Sequence, residues 1–124
     1  MEFIDPQAAH PADALLLAND ADVLARAEEI HRHASVVLQF PKWTDGRAYS
    51  QAVLLRGRLR YRGEIRATGE VLADMLPLLR RCGFDAVQLR ADQKIETAQR
   101  ALGYFDNHYQ TVPPERAAVP GAAA

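Results

Sequence analysis

The chain has 124 residues, 48% hydrophobic and 25% charged, which excludes a disordered or fibrous body and fits one domain with one core. With 15 basic and 16 acidic side chains the formal net charge is −1, so no global field exists to hold nucleic acid or an anionic membrane surface. Cys82 stands alone, which excludes an internal disulfide, a CxxC redox pair and a self-contained multi-thiolate zinc or iron–sulfur site.

The four histidines are scattered; His31 and His33 are the close pair, and their i,i+2 spacing points them to different sides of a helix, so no metal site is expected. No Walker-type or dinucleotide glycine loop occurs, and no bound cofactor is expected. No apolar run approaches the roughly 20 residues of a membrane span, and the start MEFIDPQAAHPAD lacks the basic-then-apolar order of a secretory signal. The expectation is a cytoplasmic protein with neither nucleic acid nor membrane as partner.

Residues 1–13 hold two prolines and no periodicity, and are expected to be a loosely ordered flank. A single α/β domain is predicted over residues 14–111, built from strand-then-helix units. The first pairs the run Ala14 to Leu17 with Val23, Leu24, Ala27 and Ile30 at helical spacing, with Asn19 and Asp20 as capping groups between them. The second has the nearly continuous run Val36 to Phe40, the mark of a strand covered on both faces. Pro41 ends it, Thr44, Asp45 and Gly46 supply capping chemistry, and Ala48, Ala52, Leu55 and Leu59 mark a helix reaching about Arg60.

The third unit pairs Glu64 to Ala67 with the stripe Val71, Leu72, Met75, Leu76 and Leu79, and Gly83 is its left-handed stop. Pro77 interrupts that stripe, which predicts either a kink or a helix that starts late. The fourth pairs Ala86 to Leu89 with a helix through Ile95, Ala98 and Leu102, opened by Asp92 and closed near Gly103. The aromatic stretch Tyr104 to Tyr109 then folds back on the core or covers a sheet edge, and the Pro/Ala-rich residues 112–124 form a disordered tail.

Four consecutive βα units with short connections imply parallel strands. Two architectures satisfy this: a steadily advancing strand order, half-TIM-barrel-like, and a small doubly wound three-layer sheet. The advancing order is favoured because nothing marks a reversal of strand order. It leaves an open inner face that a second chain or the terminal segments must cover.

Two stretches, FPKWTDGRAYSQA at 40–52 and GEIRATGEVLADMLPLLRRCGFDA at 63–86, resemble the bacterial domain of unknown function nine-thirty-four family. The resemblance covers roughly residues 14–110, with Pro77 where the family carries a large apolar residue and a short segment before Ala14. The family is labelled an oxidoreductase involved in sulfite reduction because it accompanies sulfite reductase genes. The resemblance therefore implies a place in sulfur assimilation, with sulfite reductase or another sulfur-assimilation protein as partner.

In parallel α/β folds ligands sit beyond the carboxyl ends of the strands, which here are Asn19 and Asp20, Lys42 to Arg47, Arg66 to Gly69, and Arg90 to Asp92. Lys42, Thr44, Asp45, Gly46 and Arg47, with Arg66 and Thr68 from the neighbouring unit, are the candidates for binding a small anion such as sulfite, sulfate or phosphate. Against this, Thr44 and Asp45 serve equally as caps, and the Asp45 carboxylate repels an anion beside it. Tyr49 reads as a packing residue, Cys82 as a structural thiol, and Trp43 as either a packing residue or a partner anchor.

Besides a purely structural assembly subunit, two functions remain open. One is a non-enzymatic accessory protein of assimilatory sulfite reduction that binds a partner protein or a small oxyanion. The other is a small oxidoreductase or other enzyme whose site, drawn from Lys42, Asp45, Arg47, Tyr49 and Arg66, is completed at a homodimer interface. No residue is singled out as catalytic.

Overall fold

The structure is a computed structural model and describes residues 1–108. Five strands form one all-parallel sheet: β1 (Glu2–Ile4), β2 (Leu15–Leu17), β3 (Ser35–Phe40), β4 (Glu64–Gly69) and β5 (Ala86–Gln88), in the order β1-β5-β4-β3-β2. The helices are α1 (Ala27–His31), α2 (Arg47–Gly57), α3 (Leu76–Cys82), preceded by a 3₁₀ turn at Ala73–Met75, and α4 (Ile95–His108). None is long and apolar enough to cross a membrane.

From β2 to β5 each strand is laid beside the one before it. Of the two architectures the sequence allows, this is the advancing one. Because βα crossovers are right-handed, strands always added on the same side bring every helix to the same face of the sheet. The core matches: Leu17, Leu38, Ala67 and Val87 stand in one register row and form a single apolar cluster with Ile30 of α1, Ala52 and Leu55 of α2, Leu76 and Leu79 of α3, and Ala98 and Leu102 of α4. A fully buried leucine or isoleucine contributes about 1.5–3 kcal/mol, so burial of this cluster is a main source of the stability of the sheet.

The first thirteen residues correct the expectation of a loosely ordered flank. Glu2, Phe3 and Ile4 pair with Ala86, Val87 and Gln88, so the chain start fills the outer edge of β5. The connection from β1 to β2 then runs backwards across the whole sheet, and the same handedness rule places it on the face without helices. Gln88 fixes it there, its Nε2 donating to the carbonyls of Asp5 (2.9 Å) and Ala8 (3.0 Å). The segment thus covers the inner face at β5, while Leu16 of β2, on the same face, stays exposed. Three residues bounded by Pro6 carry too little pattern to be read as a strand; the edge of β5 specifies them.

Other boundaries moved for local reasons. Helix α1 is confined to five residues because Asp22 Oδ1 accepts the N–H groups of Leu24 and Ala25 in a turn. Pro77 lies in the first turn of α3, where its missing N–H costs nothing, so the stripe from Val71 begins with the 3₁₀ turn instead of a kinked helix. Gly83, at φ +110°, ends α3 in the left-handed conformation. Helix α4 does not close near Gly103 but continues to His108, which takes in Tyr104 and Phe105. Tyr109 and the tail at 112–124 lie outside the described residues.

At the amino end of the sheet one helical arginine ties two turns to α2. Arg56 of α2 donates to the carbonyls of Tyr61 (2.8 Å), Gly63 (2.9 Å) and Gly83 (2.9 Å), and pairs with the Asp85 carboxylate. Asp85 in turn accepts the Ile65 N–H at 2.9 Å. The turns before β4 and β5 are thereby held in register from a single side chain.

Candidate functional site

The carboxyl rim carries the distinctive loop between β3 and α2. Its turn is closed by the Asp45 N–H on the Lys42 carbonyl, at 3.0 Å. Asp45 then acts as a hub: it accepts the Arg47 N–H (3.0 Å), the Arg47 guanidinium (2.8 Å) and the Asn19 amide (2.6 Å). The Arg47 contacts first, and Asn19 with them, hold the Asp45 carboxyl down to about 2. Gln51, buried on α2, donates to the carbonyls of Ala18 and Ala21 and fastens the loop after β2 to the same helix. The N-cap of α2 is Gly46 and makes no side-chain cap; Asp45, one residue earlier, engages the first helical N–H.

Around this hub Lys42, Trp43, Thr44, Gly46 and Arg47 are exposed. Trp43 is 54% exposed, although it sits between Phe40, which is fully buried, and the anchored Asp45. Arg47 is neutralised by Asp45, which leaves Lys42 as the loop cation with no ion-pair partner among the described residues. Farther along the rim Arg90 forks onto Asp92 (2.7 and 2.9 Å) and reaches Glu70. Gly69, at φ +101°, ends β4 so close to the Phe40 carbonyl that no side chain fits, and the Glu70 N–H bonds that carbonyl at 2.8 Å.

Arg66 and Thr68 are placed elsewhere. Both project from β4 on the face opposite the helices, and among the described residues no hydrogen bond or ion pair links them to the loop at 42–47. Arg66 is buried, and its Nη1 donates to Glu64 Oε1 at 3.0 Å. Glu64 also accepts the Ser35 hydroxyl, and Thr68 donates to Gln88 Oε1 at 2.7 Å. His10, from the covering segment, is held neutral by burial first and by the Arg66 charge second, against smaller opposing effects of Gln88 and Glu64. The candidates therefore divide into a rim loop and an inner-face cluster. Reading the sequence missed His10, Gln88 and Glu64 in the second; the alternation of polar Glu64, Arg66 and Thr68 with apolar Ile65 and Ala67 was its visible trace.

Tyr49 packs edge-on against Phe40, ring centroids 5.1 Å apart, and its hydroxyl is pushed up by burial, with Cys82 and Asp74 adding to it. Burial likewise raises the Cys82 thiol, against a smaller opposing effect of Arg81. Neither side chain is poised to lose a proton near neutrality. Among the described residues no three His, Cys, Asp or Glu side chains are arranged as metal ligands.

Fold and site together define a single-sheet parallel α/β domain with helices on one face, a rigid aromatic loop at the carboxyl rim and a polar inner face. A family model, Bacterial protein of unknown function (DUF934), matches residues 14–119, and the chain belongs to that family. Comparison with curated proteins and with solved structures gives no match.

Proposed function

We propose that this chain is a non-enzymatic accessory protein of assimilatory sulfite reduction that docks a protein partner through the loop at 42–47. The observation that carries this reading is Trp43, 54% exposed on a turn fixed by Asp45. An exposed indole on mobile backbone costs ordering entropy when it is buried by a partner; one on a braced turn is already in place. Lys42 beside it adds a charge that suits an acidic rim. The association of the resembled family with sulfite reductase genes supplies the pathway.

The competing enzyme reading loses support at its own residues. Asp45 and Arg47 are spent on each other, and Tyr49 is packed with its proton held more tightly than usual. Affinity capture from the native organism under reducing conditions, with mass spectrometry of bound proteins, tests the proposal. Sulfite reductase is expected with the unaltered chain and is lost with Trp43→Ala, whose unfolding transition stays unchanged. Equal capture by Trp43→Ala, or reduction of sulfite by the purified chain with an electron donor alone, overturns it.

A further inference from the structure

Arginine presents its Nε–H and one Nη2–H side by side, the edge that fits two acceptor oxygens or one shared acceptor. In this protein that edge is used repeatedly. Arg47 turns it to Asp45, Arg90 to Asp92, Arg26 to Glu29 and Arg56 to the Gly83 carbonyl. Arg66 is the buried arginine among the described residues that leaves it empty. Its residue is 8% exposed, its Nη1 is taken by Glu64, and its Nε is buried with no partner. Its Nη2 also has none among the described residues. An unpaired buried donor costs about 1–3 kcal/mol, more when charged, so an empty fork on the most buried arginine calls for an acceptor.

The surroundings suit a small ligand. His10 Nδ1, on the same face, is also buried without a partner. Gln39 pairs in register with Thr68, shares that face by strand alternation, and has no hydrogen bond from its amide to the described residues. Gln88 is committed to Thr68 and to the segment at 5–8 and also bears on His10, so it shapes the wall. We propose that the inner face of the sheet is a binding site for a small monoanion that presents two acceptor oxygens, a carboxylate or bisulfite, received by the Nε/Nη2 edge of Arg66 with His10 and Gln39 beside it.

Charge selects the valence. Arg66 and Glu64 already cancel and His10 is neutral, so one negative charge is accommodated, whereas a dianion adds repulsion from Glu64. The site is independent of docking at the 42–47 loop, because the two share no bonded residue.

The test is titration of the full chain at low ionic strength with formate, acetate, bisulfite, sulfate and phosphate, read by calorimetry and by the Arg66 Nε–H resonance in nitrogen–proton correlation spectra. Formate, acetate or bisulfite is expected to saturate one site at millimolar concentration or below and to move that resonance, with sulfate and phosphate at least tenfold weaker. Arg66→Lys, which keeps the charge beside Glu64 and loses the fork, is expected to weaken binding at least tenfold. His10→Gln, on the covering segment, weakens it less and guards against a fold defect at Arg66. An unmoved Arg66 resonance with every anion, undiminished binding by folded Arg66→Lys, or tighter binding of sulfate than of the monoanions overturns the proposal.

Discussion

Replacing Arg56 with methionine keeps most of the aliphatic stem and removes the guanidinium. Three backbone carbonyls, those of Tyr61, Gly63 and Gly83, lose their charged donor, and Asp85 loses its partner. Hydrogen bonds to charged groups contribute about 1.5–3 kcal/mol each when buried. The Arg56 side chain is 28% exposed, so water replaces part of each bond, and about 1 kcal/mol per carbonyl is the appropriate discount. Asp85 is half exposed and adds under about 1 kcal/mol as a surface pair. The loss is therefore about 3–4 kcal/mol, a large share of the stability of a domain this size. At about 4 °C per kcal/mol it lowers the melting temperature by some 12–16 °C. Thermal and urea unfolding followed by far-ultraviolet circular dichroism measures it, with Asp85→Asn as the comparison, since asparagine still accepts the Ile65 N–H. A shift below about 4 °C, or one no larger than that of Asp85→Asn, refutes the carbonyl accounting.

The Asp45 carboxyl sits at about 2 against an ordinary 3.8, so its bonds stabilise the loop above the ordinary value and are lost as pH falls through the folded one. Trp43 is the only tryptophan, and its fluorescence is expected to hold constant down to the ordinary carboxylate range and change only as pH approaches 2; Arg47→Ala moves that change to higher pH. Gly69→Ala is expected to destabilise by roughly 2 kcal/mol or more, through strain at φ +101° and collision with the Phe40 carbonyl, seen as a lower urea midpoint at unchanged slope.

Strands β2 to β5 were legible because parallel strands covered on both faces form short apolar runs that helical stretches interrupt. Pro77 and Gly83 spoke through local rules, which is why the late start and left-handed end of α3 could be read from them. What escaped reading depends on distant partners. Arg56 looks like any polar residue of α2, and its acceptors lie in two turns that only the fold brings near. Asp22 replaced the first turn of the first helical stripe by bonding its own neighbours, a competition that spacing alone does not reveal. The site was legible as a set of polar residues and illegible as an arrangement: alternation along β4 sends Arg66 and Thr68 to the inner face, away from the loop with which they had been grouped.

The pairing of β1 with β5 sets an order of assembly. During synthesis at about 5–20 residues per second, Ala86 follows Ile4 by on the order of ten seconds. Over that interval β3 and β4 can each find the neighbour made just before, while β1 has no template. The first strand is thus the last to dock, and it occupies the β5 edge that the growing sheet would otherwise present to another nascent chain.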